Sequence, residues 1–233
     1  MFKKRKILKY KSMIDSYPNT ITTAKDQIPE WYKKIPKWGQ GKTFTIEDGL
    51  QPTVKQCFPF LGSLTTGYTI NLPYDIYVAE INGEPYITWP GGVFNSIRAR
   101  TKIADKNLVP IGHYETEYTW NHNTYYTIPK GYSLLFTHPL NRHDLPFTTL
   151  SAVIDGGFVM YAHGNVPFYI KKGFEGVIPQ GTPIAQLIPF RQEKWKSEKS
   201  DEIQKIGDIH NSASGIVFSG FYKKNFWKRQ DFI

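Results

Sequence analysis

One cysteine, Cys57, stands in 233 residues, so the chain cannot close an intramolecular disulfide or build a multi-cysteine zinc centre. No apolar run approaches the roughly 18 residues that a membrane-spanning helix needs, which argues against an integral membrane protein. The N-terminus is basic, but neither an apolar stretch nor a small-residue cleavage site follows it. A secretory signal peptide is therefore not expected, and a reducing compartment is the simplest setting. Two common catalytic strings are missing as well. There is no Gly-x-Ser-x-Gly elbow, and Gly39-Gln40-Gly41-Lys42-Thr43 carries Gly-Lys-Thr without the earlier glycine of a phosphate loop.

What is present is apolar and aromatic. Forty per cent of the residues are hydrophobic and 15% are aromatic, enough for a sizeable core and incompatible with global disorder. The net charge of +9 is concentrated at the ends. Lys3, Lys4, Arg5, Lys6, Lys9 and Lys11 place six positive charges in the first eleven residues, with no acid among them. Lys223, Lys224, Lys228 and Arg229 outweigh Asp231 at the other end, leaving the body between neutral. Two basic ends around a neutral body predict tails that touch nucleic acid or another acidic surface, or that merely solubilise the chain.

Along the chain, residues 1–25 read as irregular. Ile28–Pro36 reads as one or two helical turns, begun near Pro29 and stopped at Pro36, and Gly39–Gly49 as a glycine-punctuated loop. From residue 53 to 190 short apolar runs alternate with Pro, Gly and Asn. The expected strands are Val54–Leu61, Tyr68–Leu72, Asp75–Ile81, Tyr86–Trp89, Tyr114–Trp120, Tyr125–Ile128 and Tyr132–Thr137. Further on they are Leu150–Ile154, Phe158–Ala162, Phe168–Lys171, Glu175–Ile178 and Ile184–Phe190. Sixteen prolines and nineteen glycines disfavour long helices, so this region is expected to contain none longer than two turns. Gln192–His210 is the exception, a polar stretch with an Ile stripe that predicts an exposed helix. The expectation is an all-β, mainly antiparallel, barrel-like domain over 53–190. A basic arm with a short helical segment precedes it over 1–52, and a helix with an aromatic-basic tail follows over 191–233.

Candidate chemistry is thin. The six histidines are scattered; only His138 and His143, flanking Pro139–Arg142 and followed by Asp144, form a cluster. Their five-residue spacing across a proline is no familiar metal-ligand geometry, so local hydrogen bonding is the favoured role. Cys57, in an expected apolar strand, reads as core. Gly173–Gly181 follows half of a second cupin motif, but Ile184 stands where the metal-binding histidine belongs. A metal-free jelly roll stays open as an alternative architecture.

Four strings carry a resemblance. They are Thr66-Gly67-Tyr68-Thr69-Ile70, Ile128-Pro129-Lys130-Gly131-Tyr132, Leu150-Ser151-Ala152-Val153-Ile154-Asp155-Gly156-Gly157-Phe158 and Gly181-Thr182-Pro183-Ile184-Ala185-Gln186-Leu187-Ile188. In this order they resemble the first motif, the turn before the second, the third and the fourth motifs of the dUTPase and dCTP deaminase superfamily, whose fold is a β-clip. The resemblance implies that Asp155 would hold the sugar hydroxyl and orient an attacking water. Phe158 would pack against deoxyribose, and Gln186 would contact phosphate. Thr69 replaces an expected Asp, Thr137–Arg142 replaces the phosphate-binding Pro-Arg-Ser-Gly, and the glycine-rich fifth motif has no counterpart in Ser212–Phe221. An enzyme of this kind would need a phosphate site rebuilt from Arg142, His138 and His143, with magnesium as its cofactor; otherwise no cofactor is expected. Enzymes of the superfamily are commonly trimers. Ile28–Pro36, Thr53–Val78 and Pro129–Lys196, the last with Phe136-Thr137-His138-Pro139-Leu140-Asn141-Arg142 near its start, are also similar to proteins encoded by tailed phages.

Two functional expectations follow. The first is a non-catalytic, dUTPase-like phage protein acting by association in the virion or the host cytoplasm. It would be a homo-oligomer, with a trimer favoured, or part of a larger viral assembly. The second is a nucleotide-binding or nucleotide-hydrolysing enzyme.

Overall fold

Strand-length apolar runs between turn residues become sixteen short strands and four helices among the described residues, which the computed structural model gives as 6–13, 20–39, 51–90, 97–100, 106–122, 124–160, 166–216, 220–228 and 231–233. In chain order they are β1 (Lys9–Ser12), β2 (Ile21–Thr23), α1 (Glu30–Lys34), β3 (Trp38–Gly39), β4 (Gln51–Pro52) and α2 (Phe58–Thr65). Next come β5 (Tyr68–Asn71), β6 (Ile76–Ile81), β7 (Glu84–Thr88), β8 (Ile97–Ala99), β9 (Tyr118–Trp120), β10 (Thr124–Thr127) and β11 (Tyr132–Thr137). The chain continues with β12 (Phe147–Thr149), β13 (Ala152–Asp155), β14 (Val166–Ile170), β15 (Gly176–Ile178), β16 (Pro183–Arg191), α3 (Glu202–Ile216) and α4 (Phe221–Asn225). Two compact units result, one of residues 1–27 and 67–192, the other of 28–66 and 193–233.

The first unit is all-β, and every strand pairing in it is antiparallel. A five-stranded sheet runs β13-β11-β16-β5-β2, a four-stranded one β12-β14-β9-β8, a three-stranded one β15-β6-β7, and β1 pairs with β10. Among the described residues the sheets form no closed barrel. Their inner faces share one core, in which Trp120 stacks on Phe168 at 3.6 Å and Phe147 meets Trp120 edge-on at 5.0 Å. Ile70, Leu134, Phe136 and Leu187 supply the opposing aliphatic surface. Thr149 Oγ1 links two sheets, accepting from Trp120 Nε1 at 3.2 Å and donating to Ile184 O at 2.6 Å.

Turn chemistry sets the register where the sequence allows it. Asn82 and Gly83, both at positive φ, close the two-residue hairpin between β6 and β7. Gly67 (φ +75°) opens β5 where that strand crosses β16, and a Cβ there would lie 2.1 Å from Leu187 O. Gly67→Ala is therefore expected to cost well over about 1 kcal/mol, read as a lower denaturant midpoint.

The second unit is small and aromatic. Pro29 caps α1, and Tyr32 is buried, stacking on Phe60 of α2 at 5.7 Å with Trp31 edge-on to both. Lys55 lies over the Tyr32 ring at 4.4 Å and donates to Tyr32 O. Trp227 sits 5.4 Å from Phe58, and His210 packs against Phe221 and Phe226 beside α3 and α4.

Several expectations need correcting. Val54–Leu61 is not a strand but a 3-10 turn (Val54–Gln56) leading into α2, with Pro59 in the first helical turn, where a proline is harmless. At eight residues α2 slightly exceeds two turns. Cys57, between these helices, is exposed rather than core. Residues 1–25 are not wholly irregular: β1 and β2 pair with β10 and β5. Tyr114–Trp120 is a strand only from Tyr118, because Tyr114 and Thr116 turn their hydroxyls to Glu80 and Glu84. The C-terminal helix begins at Glu202, not Gln192. Residues 53–66 group with the helical unit. The loop expected over Gly39–Gly49 lies, beyond Gly39, outside the described residues, as do residues 161–162 of the Phe158–Ala162 strand. No helix among the described residues is long and apolar enough to cross a membrane.

Candidate functional site

The four candidate nucleotide-site residues fall in two places. β11 pairs with β13 on one side and β16 on the other, so it serves as a ruler. Asp155 lies opposite Ser133 and Gln186 opposite Thr137. Those positions are four residues apart on β11, about 13 Å along the strand, and the two side chains stand on opposite flanking strands. Within one chain Asp155 and Gln186 therefore do not share a pocket.

Asp155 ends β13, and Gly156-Gly157 form a turn, with the Gly156 and Gly157 N–H groups donating to Tyr132 O and Ile128 O at 2.8 Å each. The chain does not return along β13 as a hairpin. It crosses to β10, where Met160 bridges Tyr126 and Phe158 O accepts from Thr127 Oγ1 at 2.7 Å. The glycines are needed for that corner: a Cβ on Gly156 would lie 2.2 Å from Pro129 O. Asp155 itself accepts from Ser133 Oγ (2.9 Å) and from Gln192 Nε2 (2.8 Å). Gln192 was not singled out by sequence, since nothing local marks a glutamine at a strand end as a carboxylate partner. Phe158 is exposed at the same corner.

Gln186 and Arg142 lie at the other end, where they act on a loop. Gln186 is buried, and its Oε1 accepts from the Leu140 N–H at 2.8 Å. Arg142 grips Asp144 through Nε and Nη2 (2.9 Å each) and donates from Nη1 to Gln27 O at 3.3 Å. His138 accepts at Nδ1 from the Thr149 N–H (3.3 Å), which puts its proton on Nε2 facing Arg142 O (3.1 Å). Burial, with the nearby positive charges of Lys171, His143 and Arg142, pushes this imidazole down to about 4, against the opposing pull of the Arg142 carbonyl bond. His143 contributes its carbonyl, which accepts from Lys171 Nζ at 2.6 Å, while its ring is on an exposed residue. Residues 138–142, which follow β11, thus form a pinned loop whose polar groups are held by Gln27, Asp144, Thr149 and Gln186. No group of three or more His, Cys, Asp or Glu that could hold a metal occurs among the described residues.

Two polar sites escaped the sequence reading. Glu117 is buried and bonds Arg100 Nη1 (2.8 Å) and the Tyr169 hydroxyl (3.0 Å). His122 is fully buried against Tyr126 at 5.3 Å, and neither ring nitrogen has a hydrogen-bond partner among the described residues. Burial drives its imidazole down to about 4, against an opposing pull from the Thr124 backbone. Neither has a sequence signature, because each depends on long-range packing.

One outward face of the first unit is mainly apolar. Tyr77, Ala79 and Ile81 of β6 alternate with the buried Ile76 and Val78. Tyr86 stands opposite Ala79, and Val177 opposite Tyr77. The same face of β15-β6-β7 also carries Thr88, opposite Tyr77, and Glu84, opposite Ile81, so it is mainly but not wholly apolar. Compared with known proteins, the chain matches no family model and no curated protein.

Proposed function

We propose that this chain is a non-catalytic, dUTPase-like β protein that works by association, as a virion structural, decoration or host-interaction component of a tailed phage. The observation that carries this reading is the outward face of β15-β6-β7, on which Tyr77, Tyr86, Ile81 and Val177 are all exposed. Exposed, mainly apolar faces of this kind mark interaction sites, and aromatics are favoured at interface centres. The spent state of the phosphate-site candidates supports it. Arg142 is consumed by Asp144 and Gln27, and Gln186 by the Leu140 amide. Recruiting either to a phosphate would break bonds that hold the loop, and no magnesium is required for association.

A second reading, nucleotide binding, retains one favourable observation. Asp155 and Phe158 remain exposed at one corner, where a second subunit could complete a site.

Self-association is tested by light scattering at micromolar concentration. The expected mass is a multiple of 26.9 kDa, with three copies favoured, and Tyr77→Ser/Tyr86→Ser is expected to return it to the monomer value. A wild-type monomer with no partner present contradicts self-assembly.

A further inference from the structure

The basic N-terminus is not a free tail throughout. Residues 9–12 form β1 on β10 with a defined register: Lys9 opposite Thr127, Tyr10 opposite Tyr126 and Lys11 opposite Tyr125. Opposed residues share a face. Tyr126 and Thr124 are buried, so Lys9, Lys11, Tyr125 and Thr127 form the outer face of this ribbon. Tyr125 is 40% exposed opposite Lys11, and Phe158, whose carbonyl accepts from Thr127, is 55% exposed at the adjoining corner. Lys130 lies along Gly157, next to Phe158, and Lys6 reaches over the Tyr132 ring at 5.7 Å. No acidic residue occurs in 6–13, 124–132 or 156–160. The carboxylate at this corner, Asp155, accepts from Ser133 and Gln192.

We propose that this face, built on Lys9, Lys11 and Tyr125 with Lys6, Lys130 and Phe158 around it, binds single-stranded nucleic acid. The lysines match phosphate charge. The exposed rings offer planes on which unpaired bases stack, the combination by which single strands are held without regard to sequence. A duplex hides its base faces and would use only the charge. Lys9 and Lys11 are about 6.6 Å apart along the strand, so they follow a backbone rather than a point anion. The proposal deepens the association reading by naming a partner, and it is independent of self-assembly.

The test is fluorescence anisotropy of a labelled oligothymidine on the full chain, with duplex DNA and inorganic polyphosphate as competitors. The oligothymidine is expected to bind at low salt, and both competitors to displace it at least ten-fold less effectively at equal charge. Each phosphate neutralised contributes about −0.7 to the slope of log K against log salt. Lys9→Gln/Lys11→Gln is therefore expected to flatten that slope by about 1.4. Tyr125→Ala, at an exposed position, is expected to weaken binding roughly ten-fold with the slope unchanged, and unchanged circular dichroism melting shows that each variant folds. Equal competition by polyphosphate together with no effect of Tyr125→Ala means adhesion by charge alone and overturns the proposal. A slope unaffected by the double lysine change overturns it too, assigning binding to other basic residues. Light scattering on the same samples separates this failure from failure of the association reading.

Discussion

Trp120→Ala is expected to lower the stability of the β unit by about 3–5 kcal/mol, the largest single-residue effect in the chain. Trp120 is buried, stacked on Phe168 at 9° between planes, with Phe147 edge-on and its indole N–H on Thr149. Truncation removes an aromatic face from two ring partners and leaves Thr149 Oγ1 without its donor, in a site too interdigitated to collapse. Against total domain stabilities of about 5–15 kcal/mol, such a loss approaches unfolding. Denaturant titration followed by tryptophan-independent far-UV circular dichroism measures it. Trp195→Ala is the control: that residue is 88% exposed, and its loss should leave the midpoint almost unchanged.

Acidification is expected to destabilise the fold well before its carboxylates protonate. His122 and His138 both sit near 4 in the folded chain because burial disfavours the imidazolium, whereas an unfolded histidine titrates near 6.5. Between those values the unfolded state binds more protons, so stability is full above about pH 7, falls through the window from 6.5 to 4, and levels off below it. At pH 5 each histidine costs about 2 kcal/mol, from 1.36 kcal/mol per pH unit, or about 4 kcal/mol together. Urea midpoints at pH 7.5 and 5.0 give the difference directly. His122→Gln, which cannot titrate, is expected to halve the drop, and an unchanged drop would show that His122 is not buried neutral.

How far the sequence could be read depended on whether the cause was local. Tyr132–Thr137 was bounded correctly because Gly131 and His138-Pro139 punctuate a strand-length, largely buried run. The all-β character followed from the same punctuation. Val54–Leu61 was misread because a short apolar run fits a strand or a buried helix equally well; Pro59, poorly tolerated in a central strand, was the overlooked signal. β2 was missed because Ile-Thr-Thr is too short to show a period, and its pairing with β5 is made across 47 residues. The site suffered most. Motif order placed Asp155 and Gln186 in one list, but only strand register showed them at opposite ends of β11. Arg142 looked available for phosphate until its fork met Asp144.

The central claim, association rather than nucleotide chemistry, is tested most directly by thermal denaturation with saturating dUTP or dCTP and magnesium. The account predicts a melting temperature unchanged by either nucleotide, in the wild type and in Asp155→Asn alike. A true ligand at a hundred times its dissociation constant would add about 2.7 kcal/mol, and a shift of that order in the wild type, abolished in Asp155→Asn, would contradict it.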